Sequence, residues 1–137
     1  MRFALAEAQV ALSQGEVPVG AIVVAGDRII GRAHNRTQVL NDVTAHAEMQ
    51  AITSAANFIG GKYLHDCTLY VTLEPCQMCG GALFWSQISR VVYGASDPKR
   101  GYMALGTHLH PKTKVISGVL ADECSQLISH FFKSKRR

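Results

Sequence analysis

The chain has 137 residues, 47% of them apolar, which supplies one continuous core, and its formal charge of +4 is a small basic excess. No apolar run is long enough to cross a bilayer, and the opening MRFALAEAQVALSQGE has no basic head, apolar middle and cleavage site of a secretory signal, so neither a membrane-spanning helix nor a secretory leader is expected. The expectation is a single domain over 1–137, soluble and cytoplasmic, with a charge compatible with a polyanionic partner but too modest to require one.

Phe3, Leu5, Ala8 and Leu12 recur at helical spacing, which predicts a helix over 1–14 stopped by Gly15. VPVGAIVV and RIIGRAH, joined by Gly26-Asp27, read as a β-hairpin, which puts Asn35 just past a strand end. Thr44 to Phe58 is Ala-rich and free of Gly and Pro, so it predicts a helix that Gly60-Gly61 ends, with Thr44 as its N-cap. CTLYVTL follows as a buried strand, and Pro75 is expected to open a helix running to about Gln87. Ser89 to Tyr93 and Lys114 to Ile116 are further strands. Leu120 to Phe132 is a closing helix with Leu120, Cys124, Leu127, Ile128 and Phe131 on one face. Strands alternating with helices predict a layered α/β domain with one sheet covered on both sides.

Two short patterns carry chemistry: His46-Ala47-Glu48 and Pro75-Cys76-Gln77-Met78-Cys79. Each alone is weak, because a Cys-x-x-Cys pair also serves as a redox dithiol or half of a structural zinc knuckle, and His-x-Glu recurs in many helices. Together they are consistent. Cys76 and Cys79, three apart, reach one ion from a single helical turn, while His46 and Glu48 share a site only if they occupy the first turn of theirs. Two helix N-termini then converge, and their positive ends favour thiolate. One imidazole and two thiolates make three zinc ligands and leave the fourth position open to water, which marks a reactive site. Glu48 is then free to act as the acid/base. Cys67 and Cys124 read as small buried hydrophobes.

The combination of His-x-Glu with Pro-Cys-x-x-Cys resembles the signature of the zinc deaminases, a superfamily that includes the cytidine and deoxycytidylate deaminases. The likeness extends over nearly the whole chain and is closest to the tRNA adenosine deaminase branch. It is carried also by Glu16 to Ala21, His34-Asn35-Arg36, Thr44 to Glu48, Leu69 to Cys79, Arg90 to Ala95, Gly118 to Cys124 and Phe131-Phe132. The resemblance implies a three-layer α/β/α fold with a five-stranded mixed sheet, cytidine deaminase-like, one Zn2+ per subunit held by His46, Cys76 and Cys79, and Glu48 moving protons. It further implies a homodimer, a tRNA anticodon stem-loop as partner, and hydrolysis of its wobble adenosine to inosine, with Asn35 binding the base. An Asn after a strand is ordinarily a turn residue capping local backbone, so this role for Asn35 rests on the resemblance alone.

Tyr102 to His110 replaces the small-residue run of the family and assigns no role to His108 or His110. The basic tail Lys133, Lys135, Arg136, Arg137 is a candidate phosphate contact, and Phe84 and Trp85 fit either a dimer contact or the core. Two other functions use the same residues. A deaminase of free guanine, cytosine or a nucleoside shares the zinc chemistry and needs no RNA, and a non-catalytic zinc-containing RNA-binding partner needs no Glu48.

Overall fold

The computed structural model describes residues 1–135. Its elements in chain order are α1 (Arg2–Ser13), β1 (Gly20–Ala25), β2 (Arg28–His34), α2 (Ala47–Ile59), β3 (Cys67–Leu73), α3 (Gln77–Ser86), β4 (Arg90–Ala95), β5 (Lys114–Ile116) and α4 (Ala121–Lys135). The five strands form one sheet in the order β2-β1-β3-β4-β5. β1 runs antiparallel to both β2 and β3, whereas β3, β4 and β5 are parallel, so the sheet is mixed as expected. Gly26, at φ 62°, makes the tight turn of the β1–β2 hairpin.

Glycine marks which helix lies on which face. A Cβ on Gly20 would run into the backbone of Ala4 and Ala8 in α1, and one on Gly31 into the Ala51 carbonyl of α2. Gly31 pairs with Val23 and Gly20 with His34, so the two glycines point to opposite sides of the pleat. Gly94 meets Cys124 of α4 on the α1 side. Helices α1 and α4 therefore cover one face and α2 and α3 the other, giving three layers. The larger core lies on the α2/α3 side, where Ala47, Ala51 and Ala55 pack with Val23, Leu69, Val71, Leu83 and Val91, all buried. A smaller cluster of Leu5, Ala95 and Cys124 seals the α1/α4 side. Cys67 and Cys124 are each 1% exposed, which agrees with their reading as hydrophobes.

Two helix starts differ from expectation. α2 begins at Ala47, not Thr44, because Thr44 turns both its hydroxyl (2.7 Å) and its N–H (2.8 Å) to the Asp42 carboxylate and makes a turn of its own. Pro75 precedes α3 instead of opening it. Cys76 is the N-cap, with extended backbone at φ −71°, ψ 176°, and Pro75 gives its carbonyl to the Tyr102 N–H at 2.8 Å. Both shifts put a candidate ligand residue, His46 or Cys76, at a helix's N-cap. Of the basic tail, Lys133 and Lys135 are exposed on α4, while Arg136 and Arg137 lie outside the described residues.

Candidate metal centre and active site

β3 and β4 are parallel and end side by side, and α3 starts four residues after β3. The carboxyl ends of parallel strands are where α/β sheets bind ligands, because strand, turn and helix N-terminus leave a crevice there. Cys76 caps α3 and Cys79 follows one turn later. His46 caps α2 with φ −70° and ψ 153°, and Glu48 sits in that helix's first turn. The packing of α2 against α3 brings the two N-termini together.

The His46 Nδ1 atom lies 3.6 Å from Cys76 Sγ and 3.5 Å from Cys79 Sγ, and the three donor atoms all fall within 4.8 Å of one another. A tetrahedral zinc with bonds of about 2.3 Å to sulfur and about 2.0 Å to nitrogen demands an N···S separation of about 3.5 Å. The side chains therefore stand where such an ion needs them, and one imidazole with two thiols is a donor set suited to zinc. Among the described residues no other group of three His, Cys, Asp or Glu side chains gathers in this way.

Proton affinities in the cluster are mutually dependent. The Cys76 thiol is pulled down to about 4, chiefly by its hydrogen bond with Cys79 and further by His46, against the opposing effect of burial. Cys79 is pushed the other way by the same hydrogen bond and then by burial. His46 is raised, first by its contact with Cys76. The hydrogen bond between the two sulfurs thus favours thiolate on Cys76 and thiol on Cys79, and a bound cation would favour thiolate on both. Glu48, 4% exposed, is raised from 4.5 to about 7, mainly because burial penalises its charge. That value suits a group that both takes and returns a proton near neutrality.

Asn35 is 8% exposed and joins β2 to this centre. Its Oδ1 accepts the Ala47 N–H at 2.8 Å, the service Thr44 was expected to give the helix from within the chain. The donor N–H fixes the amide's orientation, so the NH2 end points away from the helix with no protein acceptor assigned to it. Asn35 therefore caps backbone, but that of a helix start twelve residues on and not its own turn, and its donor end is left for another partner.

Sequence reasoning missed two buried acids, Glu16 and Glu74, 1% and 5% exposed. The Glu16 carboxylate accepts the N–H groups of Gln38 (3.1 Å) and Val39 (2.8 Å), which holds the loop leading to His46. Glu74 does the like for the segment after β4. Within the divergent stretch, Tyr102 is buried against Gly80 of α3, His108 is exposed, and His110 lies beside the Phe84 ring at 5.8 Å. Tyr102, Met103, His108 and His110 line a hollow of about 370 Å³ that no residue of the metal cluster reaches. Trp85 is 76% exposed and takes no part in the core.

Fold and centre together define a deaminase, and residues 1–136 match the MafB19-like deaminase family. The chain belongs to the family of tRNA-specific adenosine deaminases. It is 48% identical to the protein of that name from Haemophilus influenzae, over 99% of this chain and 83% of that one, and 43% identical to the one from Agrobacterium fabrum, over 99% and 93%. It also superposes on a solved structure from studies of A-to-I editing by tRNA:A34 deaminases at the wobble position of transfer RNA. There the TM-score is 0.86 at 42% identity, covering 93% of this chain and 96% of that one.

Proposed function

We infer that the chain is a hydrolytic deaminase that converts the wobble adenosine of a tRNA anticodon to inosine. The observation that carries this reading is a buried carboxyl, Glu48, set beside three convergent ligand atoms at the mouth of two helices, in a chain of this family. His46, Cys76 and Cys79 would hold one zinc ion through Nδ1 and two sulfurs. Bound there, zinc supplies the Lewis acidity that makes a water molecule nucleophilic at neutral pH.

The reaction adds water across the C6=N1 double bond of the ring and then cleaves C6–N6. An oxygen–carbon bond forms at C6, the C6–N6 bond breaks, and ammonia leaves. Glu48 carries the protons: it takes one from water as the oxygen attacks, delivers it to ring N1, and serves the departing amine in the same way. In the metal-free protein burial raises the proton affinity of Glu48 towards neutrality, which suits a group that exchanges protons with water and base. The Asn35 NH2 donates to an acceptor on the base while its oxygen keeps hold of α2. An anticodon-loop base is single-stranded, so it is splayed into such a crevice cheaply.

A second copy of the chain is the proposed partner, and the bare indole of Trp85 on α3 is the kind of surface it would cover. A cytoplasmic setting is supported by four cysteines that form no disulfide. No described helix is long and apolar enough to cross a membrane. The deciding experiment incubates zinc-loaded protein with an anticodon stem-loop RNA carrying a wobble adenosine, beside free adenosine, cytosine and guanine. Inosine in the RNA alone supports the reading, and turnover of a free base alone overturns the substrate while keeping the chemistry.

A further inference from the structure

Glu74 is a buried acid beside the metal cluster with no part in the chemistry just derived. It immediately precedes Pro75 and Cys76, and among the described residues the ion pairs involve other acids, Glu7 and Glu123. Its oxygens are taken by backbone instead: Oε1 accepts the Asp97 N–H at 3.0 Å and Oε2 the Met103 N–H at 3.2 Å. Gly101 lies so close against this carboxylate that no Cβ fits there.

Backbone ties hold the same segment. Tyr102 donates to the Pro75 carbonyl at 2.8 Å as part of an antiparallel bridge between Gly101 and Cys76, and just before the segment the Ala95 carbonyl at the end of β4 accepts the Glu74 N–H at 2.8 Å. Inside the turn, Asp97 Oδ1 accepts the N–H groups of Lys99 (3.2 Å) and Arg100 (3.0 Å), whose side chains are exposed. A buried carboxyl group is costly unless its hydrogen-bonding capacity is met, and here backbone donors from one loop meet it. Those bonds fix where that loop stands relative to Cys76.

We propose that Glu74 is a positioning residue that sets the Asp97–Met103 segment as a wall of the substrate pocket, presenting Lys99 and Arg100 to the phosphates of an RNA seated at the metal centre. This rests on the RNA-deaminase reading above. The wall acts on binding of the polymer, not on the chemical step.

The test uses the zinc-loaded full chain and the variant Glu74→Gln, in which an NH2 replaces one acceptor and opposes a backbone N–H. Zinc per chain, amide exchange of residues 97–103, and kcat and KM on the stem-loop RNA are measured together. The expected result is one zinc retained, exchange protection lost in 97–103 alone, KM raised about tenfold and kcat within about threefold of the parent. Loss of zinc, or a fall in kcat at unchanged KM, or unchanged protection in the segment, overturns the proposal. Gly101→Ala presses on the same carboxylate without altering its charge and should reproduce the KM rise, so a parental KM there also overturns it. If the parent protein does not turn over RNA at all, the functional reading has failed, and the exchange measurement still decides whether Glu74 holds the segment.

Discussion

Glu48 and His46 are two residues apart, and in mid-helix they would face different ways; at the N-cap and first turn they meet at one centre. Removing the acid should therefore spare the metal. Glu48→Ala is expected to bind one zinc per chain, measured by atomic emission, with kcat lowered on the order of 10²–10⁴. Burial also gives a pH signature in the metal-free protein. The folded carboxyl is raised from 4.5 to about 7, so its neutral form is favoured, and its contribution to stability is complete below about 4.5 and lost as pH rises through about 7. Urea unfolding of the apo protein and of Glu48→Gln across that range should show the parent losing stability relative to the variant as pH rises. A difference that does not change with pH would refute the assignment. At this scale the site was largely legible, because the two short motifs are chemically complementary, although their meeting across thirty residues is the work of the fold. Glu16 and Glu74 were not, since their partners are backbone N–H groups more than twenty residues away, and an N–H leaves no trace in residue type.

Element by element, the sequence located every helix and strand, and the errors are confined to their ends. Thr44 looked like a cap because its hydroxyl is the right chemistry, but the nearer Asp42 carboxylate wins it, and an asparagine from β2 takes its place. Hydrophobic periodicity speaks to the body of a helix, whereas the cap depends on which acceptor tertiary structure delivers. Strand order was likewise beyond local pattern: β1 lies between β2 and β3, a pairing made across more than forty residues on one side. The contact of α2 with the sheet passes through Gly31, where a methyl would meet the Ala51 carbonyl at 2.6 Å. Gly31→Ala should force α2 away from β2, with a loss of about 1–3 kcal/mol in denaturant unfolding. Because α2 carries His46, the same variant should bind zinc more weakly, measured by competition with a chromophoric chelator. A variant that is destabilised yet keeps parental zinc affinity would show that the helix start is held independently of its body.

Over the whole molecule, a net charge of +4 is compatible with a polyanionic partner without requiring one, so the number of phosphate contacts made to an RNA is to be read from salt dependence. For about three such contacts on single-stranded RNA, KM should rise roughly twentyfold between about 50 and 200 mM monovalent salt, with kcat little changed. A KM indifferent to salt would mean that the base alone is being held.

Asn35 joins two jobs in one amide: its oxygen secures the first turn of the helix that His46 opens, and its nitrogen is the end proposed to meet substrate. Natural drift and laboratory selection therefore meet a coupled trait at this position. Any replacement chosen to accept a different base also resets the affinity for metal, so a library diversified at Asn35 alone should return few altered specificities. New ones should emerge only alongside compensating changes in the turn that precedes His46.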